Sequence, residues 1–216
     1  NSSAGISPGE LTVGEEAVIT VTARDAQNNP LSGIEDEIRV SGAGDATISV
    51  FAEEGQTGIY TATVVSTNPE ELSLTVSVSG VTLDQVLVVT FLTGGAENIE
   101  IVSGDNQSAS VGSELPAPVV VRVTDAFDNP VEGGTVTFEF DETPPAAIGR
   151  SIEPGSATTN SDGEASAVIT LGNVPGTYTV EASAENAGSV TFNLQATIGQ
   201  ASVISIINQP ATTTAG

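Results

Sequence analysis

The sequence predicts an all-β chain of tandem sandwiches, and three observations predict it. Val, Thr, Ser, Gly and Ala dominate, which is the vocabulary of strands and turns. Apolar and polar residues alternate along many short runs, while no window sustains a helical apolar period. The sequence also repeats itself at a period of about 100 residues.

The repeat is read from three matched runs. Arg24-Asp25-Ala26-Gln27-Asn28-Asn29-Pro30 matches Thr124-Asp125-Ala126-Phe127-Asp128-Asn129-Pro130, and Gly58-Ile59-Tyr60-Thr61-Ala62 matches Gly163-Glu164-Ala165-Ser166-Ala167. The pattern restarts where Ala96-Glu97-Asn98-Ile99 resembles Ala201-Ser202-Val203-Ile204. The expected units are residues 1–94, residues 95–199 and the first strand of a third, truncated repeat at 200–216. An opening Asn1-Ser2-Ser3 without Met reads as a segment of a longer protein.

Alternation and turn residues give about seven strands per unit. In the first they are expected at 5–7, 17–24, 34–40, 46–51, 58–66, 72–80 and 83–91. In the second they are expected at 98–102, 118–124, 135–140, 151–158, 164–171, 177–184 and 189–196. Strand parity then names the core. Ile19, Val21 and Ala23 should face inward with Tyr60, Ala62 and Val64, Leu74, Val76 and Val78, and Leu87, Val89 and Phe91. The second unit should bury Val119, Val121 and Val123, Val136, Phe138 and Phe140, Ala165, Ala167 and Ile169, Tyr178, Val180 and Ala182, and Phe192, Leu194 and Ala196. Thr20, Thr22, Arg24, Arg122 and Thr124 should face solvent, and Asp36 falls at an inward position, implying a bulge or a wet strand end. Seven short antiparallel strands in about 100 residues is the size of an immunoglobulin-like sandwich, roughly 35–40 Å long.

Composition narrows the chemistry. The chain has no His, Cys, Met or Trp, and its four basic residues are Arg24, Arg39, Arg122 and Arg150, so it has no Lys either. Without Cys and His, the usual nucleophile–base pairs and the nitrogen or sulfur metal sites cannot be built. Without Lys, there is no Schiff base and no Lys–Asn isopeptide cross-link. Carboxylate chemistry and oxygen ligation of hard cations remain. A formal charge of −24 repels nucleic acid and anionic membrane surfaces. No stretch reaches the roughly 18 apolar residues of a membrane helix.

The motifs resemble the bacterial immunoglobulin-like domains of group 1, the family of invasin and intimin repeats. That family runs a strand into Asp-Ala-x-x-Asn-Pro-Val-x-Gly, matched at 25–33 and 125–133. Its Thr-Asp-x-x-Gly-x-Ala turn is matched by Thr159-Asn160-Ser161-Asp162-Gly163-Glu164-Ala165, and its Gly-Thr-Tyr-Thr-Val by residues 176–180. Residues 1–94 depart from this at 53–58 and 68–71 and are more similar to domain 3 of invasin, through Gly58-Ile59-Tyr60-Thr61-Ala62-Thr63-Val64. The resemblance implies bacterial cell-surface repeats, extracellular and non-catalytic, that act as a spacer or stalk holding a distal tip. A ligand-contacting adhesin module and an accessory, carbohydrate-binding domain of a secreted enzyme are the alternatives. The implied partners are neighbouring repeats in the same chain and a host or cell-surface protein or glycan.

Two residue sets stand out beyond the core. Phe127 replaces Gln27 of the first repeat, so the fold does not require an aromatic there. Its loop should face the preceding repeat, and Phe127 is expected to pack near Asn68, Pro69 and the linker 93–96. Glu70, Glu71, Glu97, Asp125, Asp128 and Glu185 should gather at the same junction, where their oxygens could hold Ca2+. The competing reading of Asp25 and Asp125 is that Asp and Asn bond the turn backbone while Pro fixes φ. Tyr60 and Tyr178 both point inward, which argues against a sugar-stacking platform.

Overall fold

The structure, a computed structural model, describes residues 2–199. The expected strand of a third repeat at 200–216 lies outside the described residues. The first repeat forms β1 (Ser3–Ser7), β2 (Glu10–Thr12), β3 (Ala17–Thr22), β4 (Ile38–Ser41), β5 (Thr47–Ile48), β6 (Ala52–Glu53), β7 (Ile59–Val65), β8 (Glu70–Val78) and β9 (Val81–Leu92). The second forms β10 (Asn98–Ser103), β11 (Ser108–Ser110), β12 (Val119–Thr124), β13 (Thr135–Phe140), β14 (Ser151–Glu153), β15 (Ser156–Thr158), β16 (Glu164–Thr170), β17 (Gly176–Ala184) and β18 (Gly188–Thr197).

Each repeat is a sandwich of two sheets. In the first, β1-β3-β7-β5, with β6 also on β7, faces β2-β9-β8-β4. In the second, β10-β12-β16-β14 faces β11-β18-β17-β13-β15. The entering strand changes sheets in both repeats: β1 and β10 run antiparallel to β3 and β12, whereas β2 and β11 run parallel to β9 and β18. This exchange covers an edge on each side of the sandwich, the edge strand being the part of a sheet most open to unwanted pairing.

Two separate apolar clusters fill the sandwiches. One runs from Ala4 to Phe91 and the other from Leu115 to Ala196, with no buried residue shared. The inward parity expected from sequence holds for nearly every core position: Ile19, Val21, Tyr60, Leu74, Val89, Val121, Ile169, Val180 and Phe192 are all fully enclosed. Val40 and Phe140 are only partly buried, at the ends of their strands.

Several sequence expectations need correction. Residues 34–40 are not one strand: Glu35–Glu37 form a single 3-10 turn, which leaves Asp36 exposed outside the sheet. The inward parity of Asp36 therefore never arises. Residues 151–158 divide at Pro154-Gly155 into β14, which pairs with β16, and β15, which crosses to β13. Residues 46–51 likewise contain only the two-residue β5, and β6 follows at Ala52. Thr124 is buried rather than solvent-facing, at the end of β12 where Asn98 and Pro130 pair with it and the Glu97 N–H donates to its carbonyl.

The two tyrosines tie backbone that no ladder reaches. Tyr178, fully enclosed, donates its hydroxyl to the carbonyl of Val174 at 2.8 Å, a tyrosine corner at the start of β17. The first repeat places Leu72 opposite Val89 where the second places Tyr178 opposite Leu194, and it uses Tyr60 on β7 instead. Tyr60 donates to Leu31 O at 2.7 Å and accepts from Ile34 N at 3.3 Å, and burial pushes its phenol pKa up. Tyr60→Phe should therefore cost about 1–2 kcal/mol, since it strands a carbonyl and an amide. Tyr178→Phe, which strands one carbonyl, should cost about 1 kcal/mol. Urea unfolding monitored for each repeat separately measures both, and Tyr60→Phe should be the more damaging.

Candidate functional site at the joint between the repeats

Only a few residues separate β9 from β10, so the joint is built from that linker and from the loops that reach it. Its centre is the turn after β12. Asp125 opens the turn and Asn129 closes it: the Asp125 N–H reaches Asn129 O at 2.9 Å, and the Asp128 N–H reaches Asp125 O at 3.2 Å. Asp128 adopts φ 64°, a left-handed conformation that Asp and Asn tolerate better than most residues. The Asp125 carboxylate then accepts from Phe127 N at 2.9 Å, from Asn129 N at 3.0 Å and from the Asn129 side-chain amide. Asp25 and Asn29 make the same turn in the first repeat, with Asn28 at φ 71°.

What differs is the neighbour. The second carboxylate oxygen of Asp125 accepts the N–H of Gly94 in the linker at 2.9 Å. The Asn129 side-chain amide also donates to Thr67 O of the first repeat at 2.8 Å. Asp125 is completely enclosed and Asn129 nearly so, whereas Asp25 is partly buried and Asn29 exposed. The linker is held further by Glu97 N to Thr124 O at 2.9 Å and by Asn98 Nδ2 to Asp125 O at 3.3 Å. Gly94 fits closely: a Cβ there would lie 3.1 Å from Asp125 Cβ and 3.2 Å from Oδ2, so the carboxylate would have to give by a few tenths of an ångström.

Phe127 completes the joint. Its ring lies over Gly14, where an added Cβ would come within 2.6 Å of the ring, and Gly14 has φ +83°. A side chain at Gly14 would therefore be strained and would displace the ring. Phe127 borders a cleft of about 400 Å3 with Thr12, Val13, Gly94, Ala96 and Asp125. Phe127 as a whole is 43% exposed, so the joint covers it only in part. Phe127 thus reaches the other repeat at Gly14 and shares the cleft with linker residues Gly94, Gly95 and Ala96. The 67–70 loop does reach the second repeat, through Thr67. Asn68 instead bonds Ser66 within its own loop, and Pro69 is exposed.

The six carboxylates proposed for Ca2+ do not assemble. Among the described residues, no group of three or more acidic side chains is placed to hold a metal ion. Asp125 spends its oxygens on four N–H groups, and Glu70 accepts from Ser66 Oγ at 2.6 Å. Glu71, Glu97, Asp128 and Glu185 are exposed. The N–H groups therefore supply the stabilisation of the Asp125 charge that a cation would otherwise give.

The hydrogen bonds leave Asp125 more acidic than an ordinary aspartate. Burial pushes its pKa up, but the Asn129 amide and the N–H groups of Gly94, Phe127 and Asn129 outweigh burial and pull it below the usual value. A carboxylate with a lowered folded-state pKa contributes stability that is present above its unfolded value, about 3.9, and lost as pH falls through the folded value. The Gly94 amide proton resonance should thus stay constant from neutral pH to about 4 and move only in more acidic solution. Asp125→Asn should abolish that movement. A Gly94 resonance that moves around the ordinary aspartate value, about 3.9, or that moves just as far in Asp125→Asn, would show that the bond does not hold the linker.

Comparison with known proteins agrees with the repeat pattern. Residues 2–94 match the family model for invasin domain 3, and residues 99–205 match that for the bacterial Ig-like domain, group 1. No curated protein matches the chain by sequence. Among solved structures, FdeC, an Escherichia coli adhesin, is 23% identical with a TM-score of 0.58, over 91% of this chain and 62% of its own. InvD of Yersinia pseudotuberculosis is 22% identical with a TM-score of 0.53, over 98% of this chain and 63% of its own. The chain thus spans about three fifths of the length of either, and at these identities the likeness speaks for fold alone. The chain belongs to the bacterial immunoglobulin-like domains of the invasin and intimin type.

Proposed function

We propose that these two repeats are a non-catalytic spacer in the extracellular arm of a bacterial surface adhesin, and that their joint serves to resist bending. The single observation that carries this reading is the inter-repeat latch of Asp125 on Gly94, Asn129 on Thr67 and Phe127 on Gly14. A bond to a charged acceptor is worth about 1.5–3 kcal/mol and a neutral one about 1 kcal/mol. The short linker makes both intramolecular, so no association entropy opposes them. A net 2–3 kcal/mol would keep the joint closed about 30 to 150 times as often as open. Such a joint transmits orientation from one repeat to the next, which a spacer requires.

Composition supports the same reading. Four Arg against 28 acidic residues leaves few opposite charges for self-association, and one ion pair, Arg122–Glu164 at 2.9 Å, is found among the described residues. The carbohydrate-binding alternative loses its platform, since Tyr60 and Tyr178 are both fully enclosed and Trp is absent. Extracellular, cell-surface placement is part of the proposal and rests on the family. So does a host or cell-surface partner, whose contact would fall to other parts of the protein.

Residual dipolar couplings test the spacer role. In the native chain the two repeats should share one alignment tensor. The Phe127→Ser, Asn129→Ala double variant should give two diverging tensors with each repeat still folded. Independent tensors in the native chain would exclude a bend-resisting spacer. The joint should also need no cation: Ca2+ added to an EDTA-treated sample should evolve no heat and leave the couplings unchanged. Stiffening on Ca2+ addition would show that carboxylates rather than N–H groups hold the repeats.

A further inference from the structure

The first repeat carries a copy of the same turn with part of its bonding capacity unused. Asp25 accepts from Gln27 N at 2.9 Å, Asn29 N at 2.8 Å and Asn29 Nδ2 at 2.9 Å, the three bonds that Asp125 accepts within its own turn. The two bonds that Asp125 and Asn129 make across the joint have no counterpart at Asp25 and Asn29 among the described residues. One carboxylate lone pair and one amide hydrogen thus point outward from a turn whose geometry is already fixed. The chain enters both repeats beside the turn: Ser2 Oγ accepts from Arg24 N and donates to Arg24 O in the first, and the Glu97 N–H donates to Thr124 O in the second.

We propose that the turn at residues 25–29 is the open half of a second joint, and that its partner is a sandwich of this same fold placed ahead of it in the chain. The partner chemistry is set by the filled joint. The acceptor at Asp25 fits a backbone N–H from a linker residue, glycine above all, because a Cβ at Gly94 would crowd the Asp125 carboxylate at 3.1–3.2 Å. The donor at Asn29 fits a loop carbonyl in the place of Thr67 O. Gln27 stands where Phe127 stands, so this joint lacks the ring over the partner's glycine and is the looser of the two. The inference rests on the spacer reading, since only a chain of stiffened repeats makes use of it.

The test places a copy of residues 1–97 directly ahead of the full chain. This sets the copy's Gly94 at the same distance from residue 25 that the native Gly94 keeps from residue 125, allowing for the shorter strand that enters repeat 1. The added copy should share an alignment tensor with the repeat that follows it. Asn29→Ala in that following repeat should raise the exchange rate of the copy's Gly94 amide about fivefold. Gln27→Phe should lower it. An added copy that aligns independently while the native joint stays fixed overturns this inference alone, whereas independent alignment at both joints defeats the spacer reading as well. Self-association of the unmodified chain that Asn29→Ala abolishes would assign the turn to a second copy instead and overturn the in-chain partner.

Discussion

A carboxylate with no exposed surface organises this chain. Burying a charge is costly unless hydrogen bonds replace its hydration. Asp125 replaces hydration with three backbone N–H groups and the Asn129 side chain, and one of those backbone groups belongs to the linker. Satisfying the charge and fixing the path between the repeats are therefore one event. The size of the effect follows from Asp25, which sits in the same turn with less of its surface covered. If the joint opens, Asp125 returns to an environment like that of Asp25, where water takes the place of Gly94. The net gain is thus that of a charge-assisted hydrogen bond, about 1.5–3 kcal/mol, and not the larger cost of an orphaned buried charge.

Most of the fold was legible in the sequence because one face of each strand is buried and the other is not. Alternation then assigns nearly every core residue, and a register slip would have turned whole strands inside out. The errors fall where alternation carries no information. β2 and β11 are three residues long, too short to show a period, and they exist to continue the entering strand on the opposite sheet. The division between β14 and β15 did have a signal, Pro154-Gly155, a dipeptide that punctuates strands. The turn at Glu35–Glu37 had none, since three acidic residues after an isoleucine fit a strand end as well as a 3-10 turn.

The joint was half legible. Comparing the repeats singled out Phe127, because a side chain present in one copy and absent from the other is not there for the fold. Strand order then sent its loop to the correct end. Gly14 was not legible because it offers no side chain to a reader of sequence, and a glycine at positive φ serves here as the floor beneath a ring. Thr124 was misplaced for a related reason. Alternation knows only two faces of a strand, and the chain that closes over the strand's end at Glu97, Asn98 and Pro130 is invisible to it. Clustering acidic residues by loop position was the weakest inference, since it ignored that a carboxylate already holding N–H groups has few lone pairs left for a metal.

One turn motif thus closes a hairpin and also hooks a neighbour, and the division of labour within it explains how both are possible. The inner bonds, from Asp to the two following amides and from Asn back to Asp, are complete in both repeats and need nothing from outside. Only the outer lone pair and the outer amide hydrogen are left to meet another repeat. Because the turn is rigid before it docks, little conformational freedom remains to be lost in docking, so two hydrogen bonds can hold a joint that a flexible loop could not. The side chain at the turn's tip has no part in closing the hairpin. It is Gln27 in one repeat and Phe127 in the other while the turn's bonds stay the same, and only the larger side chain reaches the neighbouring repeat at Gly14.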